Sequence, residues 1–315
     1  MTTTTLASRL LLSNDLLTGA EWSPADTREL LHLTGEIKAK PARYASTLRG
    51  KFLALIFEKP SLRTRVTFEV GIQSMGGSVV FLDHTQARLG ERESIADVAR
   101  NLERWVQGIV ARVYEQRVLD EMAASASIPV INALSDKFHP CQALADFFTL
   151  EEKVGSLRGF KLAYVGDGNN VCHSLLFLAA RLGVHLRVAT PPNYEPDQDV
   201  LEDAKRVAKE TRAKIEVCND PREAVAGADG VYTDSWTSMG FEAQQKVRNS
   251  VFAPYQVNAA LMALAAPRAV FMHCLPAHRG SEVTSEVLDG AQSVVLDQSE
   301  NRMYVQKAIL QTLFS

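Results

Sequence analysis

KLAYVGDGNNVCHSLLFLAARLG, residues 161–183, decides the fold class. Lys161 to Gly166 is a short apolar run, the pattern of a strand buried on both faces of a parallel sheet. Gly166, Asp167, Gly168, Asn169 and Asn170 then supply turn residues. Apolar positions crowd the stretch from Val171 to Leu182, and Gly183 reads as a helix C-cap. A strand, a glycine-containing turn and a helix make the first part of a βαβ crossover.

The same unit recurs in both directions. Toward the N-terminus, FLALIF (52–57), SVVFLD (78–83), GIVARV (108–113) and PVINAL (129–134) read as strands. Toward the C-terminus follow HLRVAT (185–190), KIEVCN (214–219), GVYTD (230–234), AVFMHC (269–274) and SVVLDQ (293–298). Helix-like stretches separate them. Over 63–75, Val66, Val70 and Gln73 take one face, while Phe68, Ile72 and Met75 share another. Residues 300–313 read as a last helix. This alternation predicts an α/β protein with right-handed crossovers. The chain has 315 residues, and at about 150 residues per domain that gives two domains. The charged segment EEKVGSLRGF (151–160) lacks a strand and reads as the boundary. The expectation is two doubly wound domains, each with a mainly parallel sheet flanked by helices.

Composition removes several function classes. The 34 basic and 37 acidic side chains give a net charge of −3, so bulk binding to nucleic acid or to anionic membranes is not expected. No apolar run approaches the roughly 18 residues of a spanning helix. The opening MTTTTLASRLLLSNDLL reads as neither a secretory signal nor a transit peptide. Cys141, Cys172, Cys218 and Cys274 form no C-x-x-C pair. A reducing, cytoplasmic setting is expected, and no zinc ligand set is recognised.

Chemistry is concentrated where strands end. LIFEKPSLRTRVTFE runs from a strand into a turn at Pro60, then opens a helix with Ser61, Leu62, Arg63, Thr64 and Arg65. Free N–H groups and hydroxyls at a helix start suit an anion, and arginines add bidentate contacts. The macrodipole disfavours cations there unless an anion is present. The plain alternative is a capped helix with solvated arginines. In VARVYEQ, Arg112 ends a strand, either as a site residue or as a surface ion pair. In LSDKFHPCQALAD, His139 and Gln142 flank Pro140, a good first helical residue. Both reach for an oxygen acceptor or simply cap the helix. GDGNN lacks the third glycine of a dinucleotide fingerprint, so a nicotinamide cofactor is poorly supported. Asn169 and Asn170 there bind a small polar ligand or act only as caps. In YTDSWTSMGF, Asp234 ends a strand and suits an amine partner, with Ser238 and Met239 following in a loop. In VFMHCLPAHRG, His273, Cys274 and Leu275 leave a strand and meet Pro276.

Taken together, these segments resemble the aspartate/ornithine carbamoyltransferase family. The resemblance also includes Arg88-Leu89-Gly90, Glu93-Ser94 and Glu300-Asn301-Arg302-Met303, and runs over most of the chain. It implies a carbamoyl phosphate domain at 1–150, an ornithine domain at 151–298, and a C-terminal helix, 299–315, that returns to the first. It implies carbamoyl transfer from carbamoyl phosphate to the side-chain amine of L-ornithine in arginine metabolism, in synthesis or in breakdown. The attack is direct, without cofactor, metal or covalent intermediate. By the same resemblance, Ser61, Leu62, Arg63, Thr64 and Arg112 hold phosphate. His139, Gln142, Arg302, Cys274 and Leu275 surround the carbamoyl group, and Arg88 reaches a neighbouring site in a homotrimer. Asn170, Asp234, Ser238 and Met239 bind ornithine. Arg112, His139, Asp234 and Cys274 form the catalytic set. Three departures stand out: Leu62 replaces a small polar residue, Arg88 replaces Gln or His, and Ser235 and Thr237 stand where apolar residues are usual.

Overall fold

Nine parallel strands form two separate sheets in a computed structural model that describes residues 14–237 and 242–314. The chain divides into two compact units. One runs up to Leu144 and resumes at Arg302; the other is Ala145–Asn301.

The first unit holds β1 (Phe52–Phe57), β2 (Ser78–Asp83), β3 (Gly108–Arg112) and β4 (Val130–Leu134). Their order is β2-β1-β3-β4, all parallel. The helices are α1 (Pro24–Ala39), α2 (Leu62–Ser74), α3 (Ile95–Leu102), α4 (Gln116–Ser125) and the start of α5 (Pro140–Val154). The two faces expected of α2 separate cleanly. Phe68, Ile72 and Met75 are fully buried, while Val66 and Val70 are exposed. Burial of each large side chain contributes about 1.5–3 kcal/mol, so this face fixes the helix on the sheet.

The second unit holds β5 (Lys161–Val165), β6 (His185–Ala189), β7 (Ile215–Cys218), β8 (Gly230–Thr233) and β9 (Val270–His273). Their order is β7-β6-β5-β8-β9, again all parallel. Helices α6 (Asn170–Leu182), α7 (Gln198–Thr211), α8 (Pro221–Val225), α9 (Gln245–Phe252), α10 (Ala259–Met262) and α11 (Ser285–Leu288) connect them. Gly183 closes α6 in the left-handed region at φ +79°, as its position predicts.

One element differs from the sequence reading. SVVLDQ (293–298) is not a strand: only Ser293 makes an isolated bridge to Phe271, and α12 (Val295–Phe314) already begins at Val295. A short apolar run does not by itself separate a strand from a buried helical turn. Here Gln298 settles it, because its side chain accepts from the His273 N–H and donates to Asp146. Among the described residues, no helix is long and apolar enough to cross a membrane.

Strand order fixes where ligands can bind. In open parallel sheets, the crevice lies beyond the strand C-termini where the order reverses. In the first unit that point is between β1 and β3; in the second it is between β5 and β8.

Candidate active site

At the first switch point, Ser61 is the N-cap of α2. Its Oγ accepts from the Thr64 N–H at 3.3 Å and donates to Thr64 Oγ1 at 3.0 Å. Thr64 Oγ1 also accepts from Arg302 Nη2 at 2.8 Å, and Arg302 Nη1 donates to Gln142 Oε1 at 2.5 Å. Residues from β1–α2, α5 and α12 therefore share one hydrogen-bonded chain. Arg112 ends β3 and is buried. The buried Nε of Arg63 makes no hydrogen bond, as expected of a donor kept for a ligand.

His139 is fully enclosed beside this cluster. Burial, then the charges of Arg302 and Arg112, push its pKa well below the ordinary imidazole value. The ring is therefore neutral at pH 7 and can donate one N–H without adding a further cation. Burial also pushes the neighbouring Cys141 thiol up to about 12, which leaves it protonated and a poor nucleophile. Leu62, by contrast, points into solvent at 77% exposure, so only its backbone can serve the site.

Two groups here escaped the sequence reading. Lys59 is buried with its ammonium 4.4 Å from the Tyr114 ring centroid. Burial, then Arg112, lowers its pKa. Glu58 accepts from the N–H groups of Leu89 and Tyr114, each at 2.8 Å, and so ties the Arg88 loop to the end of β3. Both residues lie inside the EKPS run, just ahead of the arginines that open α2. Arg88 itself is exposed, with its guanidinium 4.1 Å from the Tyr114 ring centroid.

At the second switch point the chemistry reverses. Asp234 leaves β8, mostly buried. Its Oδ1 accepts from Ser235 N at 2.7 Å and from Cys274 Sγ at 2.9 Å, and its Oδ2 accepts from Asn169 Nδ2 at 2.9 Å. Asn169, not Asn170, is the N-cap of α6, accepting from the N–H groups of Val171 and Cys172. Asn170 is the first helical residue and half-buried. Of the two asparagines that the sequence offers here, Asn169 is the one bonded to Asp234. Ser238 and Met239 lie outside the described residues.

Gly168 explains why GDGNN is not a dinucleotide loop. A Cβ there would lie 2.3 Å from Pro196 N and 2.5 Å from Glu195 C, and the Gly168 N–H already donates to Tyr194 O at 2.9 Å. The glycine makes room for its own chain rather than for a pyrophosphate.

Cys274 and Leu275 follow β9 in this second unit, half-buried. The Leu275 N–H donates to His273 Nδ1 at 2.9 Å, and His273 Nε2 lies 3.1 Å from Glu282 Oε1. Nδ1 accepts, so the ring proton is on Nε2 and points at Glu282. Burial raises the Glu282 pKa, but hydrogen bonds from His273 and the His278 N–H outweigh it and hold the carboxyl below its usual value. Asp234, His273 and Cys274 also have ligand atoms within 4.8 Å of one another, enough for a metal to be considered. Both ring nitrogens of His273 are engaged, however, and Cys274 donates to Asp234, so the group is already satisfied as a hydrogen-bond network.

One unit has buried cations at its switch point and the other a buried carboxylate and amides, which suit an anionic and a cationic ligand respectively. Sequence and structure comparisons identify the family. Residues 14–152 match the carbamoyl-P binding domain, and residues 158–313 the Asp/Orn binding domain, of aspartate/ornithine carbamoyltransferase. An ornithine carbamoyltransferase from Methanothermobacter thermautotrophicus is 54% identical over 285 residues, 90% of this chain and 94% of that one. An ornithine carbamoyltransferase from Pyrococcus furiosus, described as anabolic, is 48% identical over 306 residues, 97% of this chain and 96% of that one. The solved ornithine carbamoyltransferase structure from Pyrococcus furiosus superposes with a TM-score of 0.93 at 46% identity, covering 97% of this chain and 99% of that one. The chain belongs to the aspartate/ornithine carbamoyltransferase family, and within it to the ornithine carbamoyltransferases.

Proposed function

We propose that this enzyme moves the carbamoyl group of carbamoyl phosphate to the δ-amine of L-ornithine by direct attack, giving citrulline and phosphate. The observation that carries the mechanism is the buried group of Arg112, Arg302 and neutral His139, in which Arg302 bonds Gln142 and Thr64 at the start of α2. Ser61, the Leu62 N–H, Arg63, Thr64 and Arg112 take the phosphate. His139, Gln142 and Arg302 take the carbamoyl oxygen and nitrogen, with Cys274 and Leu275 completing that side. Attack builds negative charge on the carbonyl oxygen, and each well-placed donor stabilises it by about 3 kcal/mol. A neutral His139 donates there while the arginines also stabilise the departing phosphate.

The acceptor amine must lose its proton first. At a pKa near 10.4, roughly one amine in 10³ is neutral at pH 7. A desolvated site favours the neutral form. Asp234 pairs with the α-ammonium, and Asn170, Ser238 and Met239 hold the rest of the amino acid. Cys274 already donates to Asp234, so it serves as a positioned thiol rather than a nucleophile. The four free cysteines fit a cytoplasmic enzyme, and the relative described as anabolic favours arginine biosynthesis.

Two measurements test this reading. Calorimetry on Arg63→Ala should show carbamoyl phosphate affinity lowered by about 2–3 kcal/mol, the cost of losing a charge-assisted partner. Unchanged affinity in a folded variant removes Arg63 from the phosphate site. The enzyme is also proposed to be a homotrimer in which Arg88 acts in a neighbour's site. Arg88→Ala chains mixed with Arg302→Ala chains should then regain activity in hybrid trimers. Hybrids that form and stay inactive exclude sharing through Arg88.

A further inference from the structure

The helix that follows the ornithine loop carries a buried cation with no part in the chemistry so far. Arg248, on α9, is 6% exposed. Its Nε donates to the Trp236 carbonyl at 2.5 Å, and its Nη2 donates to the Asp167 carboxylate. The pair is almost dry, with the two side chains 7% and 13% exposed. The guanidinium lies 4.9 Å from the Tyr194 ring centroid and 5.4 Å from that of Phe252. Trp236 stacks on Phe252 at 6.1 Å, and Tyr194 meets Phe252 edge-on at 4.9 Å.

These contacts continue, beyond the strand ends, the pairing of β5 with β8 into the two loops that follow them. Trp236 is two residues beyond Asp234, and Asp167 is two residues before Asn169. Asn169 in turn donates to Asp234. Arg248 thus closes a ring that runs Asp167, Asn169, Asp234, Trp236 and back to itself. A planar fork can hold a carboxylate and a carbonyl at once, which an ammonium on a flexible stem cannot do as well.

We propose that Arg248 is a positioning residue for the amino-acid substrate: by clamping the Trp236 carbonyl and the Asp167 carboxylate together, it sets the distance between the Gly166–Asn170 turn and Asp234 that the bound ornithine must span. This rests on the reading of Asp234 and Asn170 as ornithine-binding residues. The assignment predicts a KM effect confined to one substrate. An ion pair that only supports the fold lowers the melting temperature and leaves that KM alone.

A pH dependence accompanies the geometry. Burial pushes the Asp167 carboxyl up to about 6, with Arg248 opposing and Asp234 adding to the rise. Tyr164 and Cys172 also face Asp167. As pH falls through that value, Asp167 takes up a proton and the clamp loses its charged partner. Expressed per neutral δ-amine, the ornithine KM should therefore rise on the acid side and level off above it.

The test compares ornithine KM, kcat and carbamoyl phosphate affinity for the parent, Arg248→Gln, Arg248→Lys and Asp167→Asn. Arg248→Gln should raise ornithine KM by roughly 10- to 100-fold, the scale of a lost hydrogen bond to a charged group. Carbamoyl phosphate affinity should stay at the parent value. Arg248→Lys should recover part of the loss, and Asp167→Asn should abolish the acid-side rise in KM. Arg248→Gln with the parent's ornithine KM overturns the proposal. If that variant does not fold, a parent ornithine KM that, expressed per neutral δ-amine, stays flat from about pH 7.5 to about pH 5.5 overturns it instead. A parent that forms no citrulline from ornithine removes the functional reading itself, an outcome distinct from either.

Discussion

The two units place their sites by the same rule and fill them with opposite chemistry. In each, the residues proposed to bind ligand sit beyond the strand C-termini where the order reverses, between β1 and β3 and between β5 and β8. In the first, the helix start after β1 and the end of β3 supply Arg63, Thr64 and Arg112, with Lys59 close by. In the second, the corresponding places supply Asn169, Asn170 and Asp234. Sheet order decides where a ligand binds; the few residues at the strand ends decide its charge. A phosphate donor and an ammonium-bearing acceptor follow from that difference.

If the division of labour is real, each unit can be damaged without harming the other's ligand. The largest effect is expected from Asp234→Asn. It keeps the shape but removes the charge proposed to pair with the α-ammonium. kcat/KM for ornithine should fall by roughly 100-fold, about 3 kcal/mol. Carbamoyl phosphate affinity, read by calorimetry, should not change. A parallel loss of carbamoyl phosphate binding breaks the comparison. The smallest effect is expected at Leu62, which departs from the family pattern yet points into solvent. Leu62→Ser should move stability and carbamoyl phosphate affinity by about 0.5 kcal/mol or less, because only its backbone N–H is available to the site. A larger loss of affinity would give the side chain a role that its exposure denies.

Much of this was legible in the sequence because the signals are local. Continuous apolar runs marked all nine strands to within a residue at each end, and Ser61, Pro140 and Gly183 marked helix ends at their own positions. The failure at 293–298 is of the same local kind: Val294 and Val295 suit either structure, and the side chain that decides, Gln298, acts through distant partners. The site shows the same boundary. Arg63, Arg112, His139 and Arg302 could be proposed from strand ends and family resemblance. Arg248 could not, because its meaning lies in partners about 12 and 81 positions away, Trp236 and Asp167. Glu58 is illegible in sequence for a related reason: it holds backbone N–H groups of two other segments, a role that leaves no spacing pattern. Asn169 and Asn170 are adjacent in the turn, and only geometry shows that Asn169 is the cap and bonds Asp234.

The central claim is that the second unit reads an amino acid through its charged α-groups. It is tested most directly by kcat/KM for ornithine, putrescine and N-acetylornithine at one carbamoyl phosphate concentration. Putrescine lacks the α-carboxylate, and acetylation removes the α-ammonium that Asp234 is placed to bind. A site built for buried polar contacts rejects analogues that leave those groups unpaired, often by about 10⁴-fold. The account predicts that margin in favour of ornithine; putrescine or N-acetylornithine reacting as well as ornithine would contradict it.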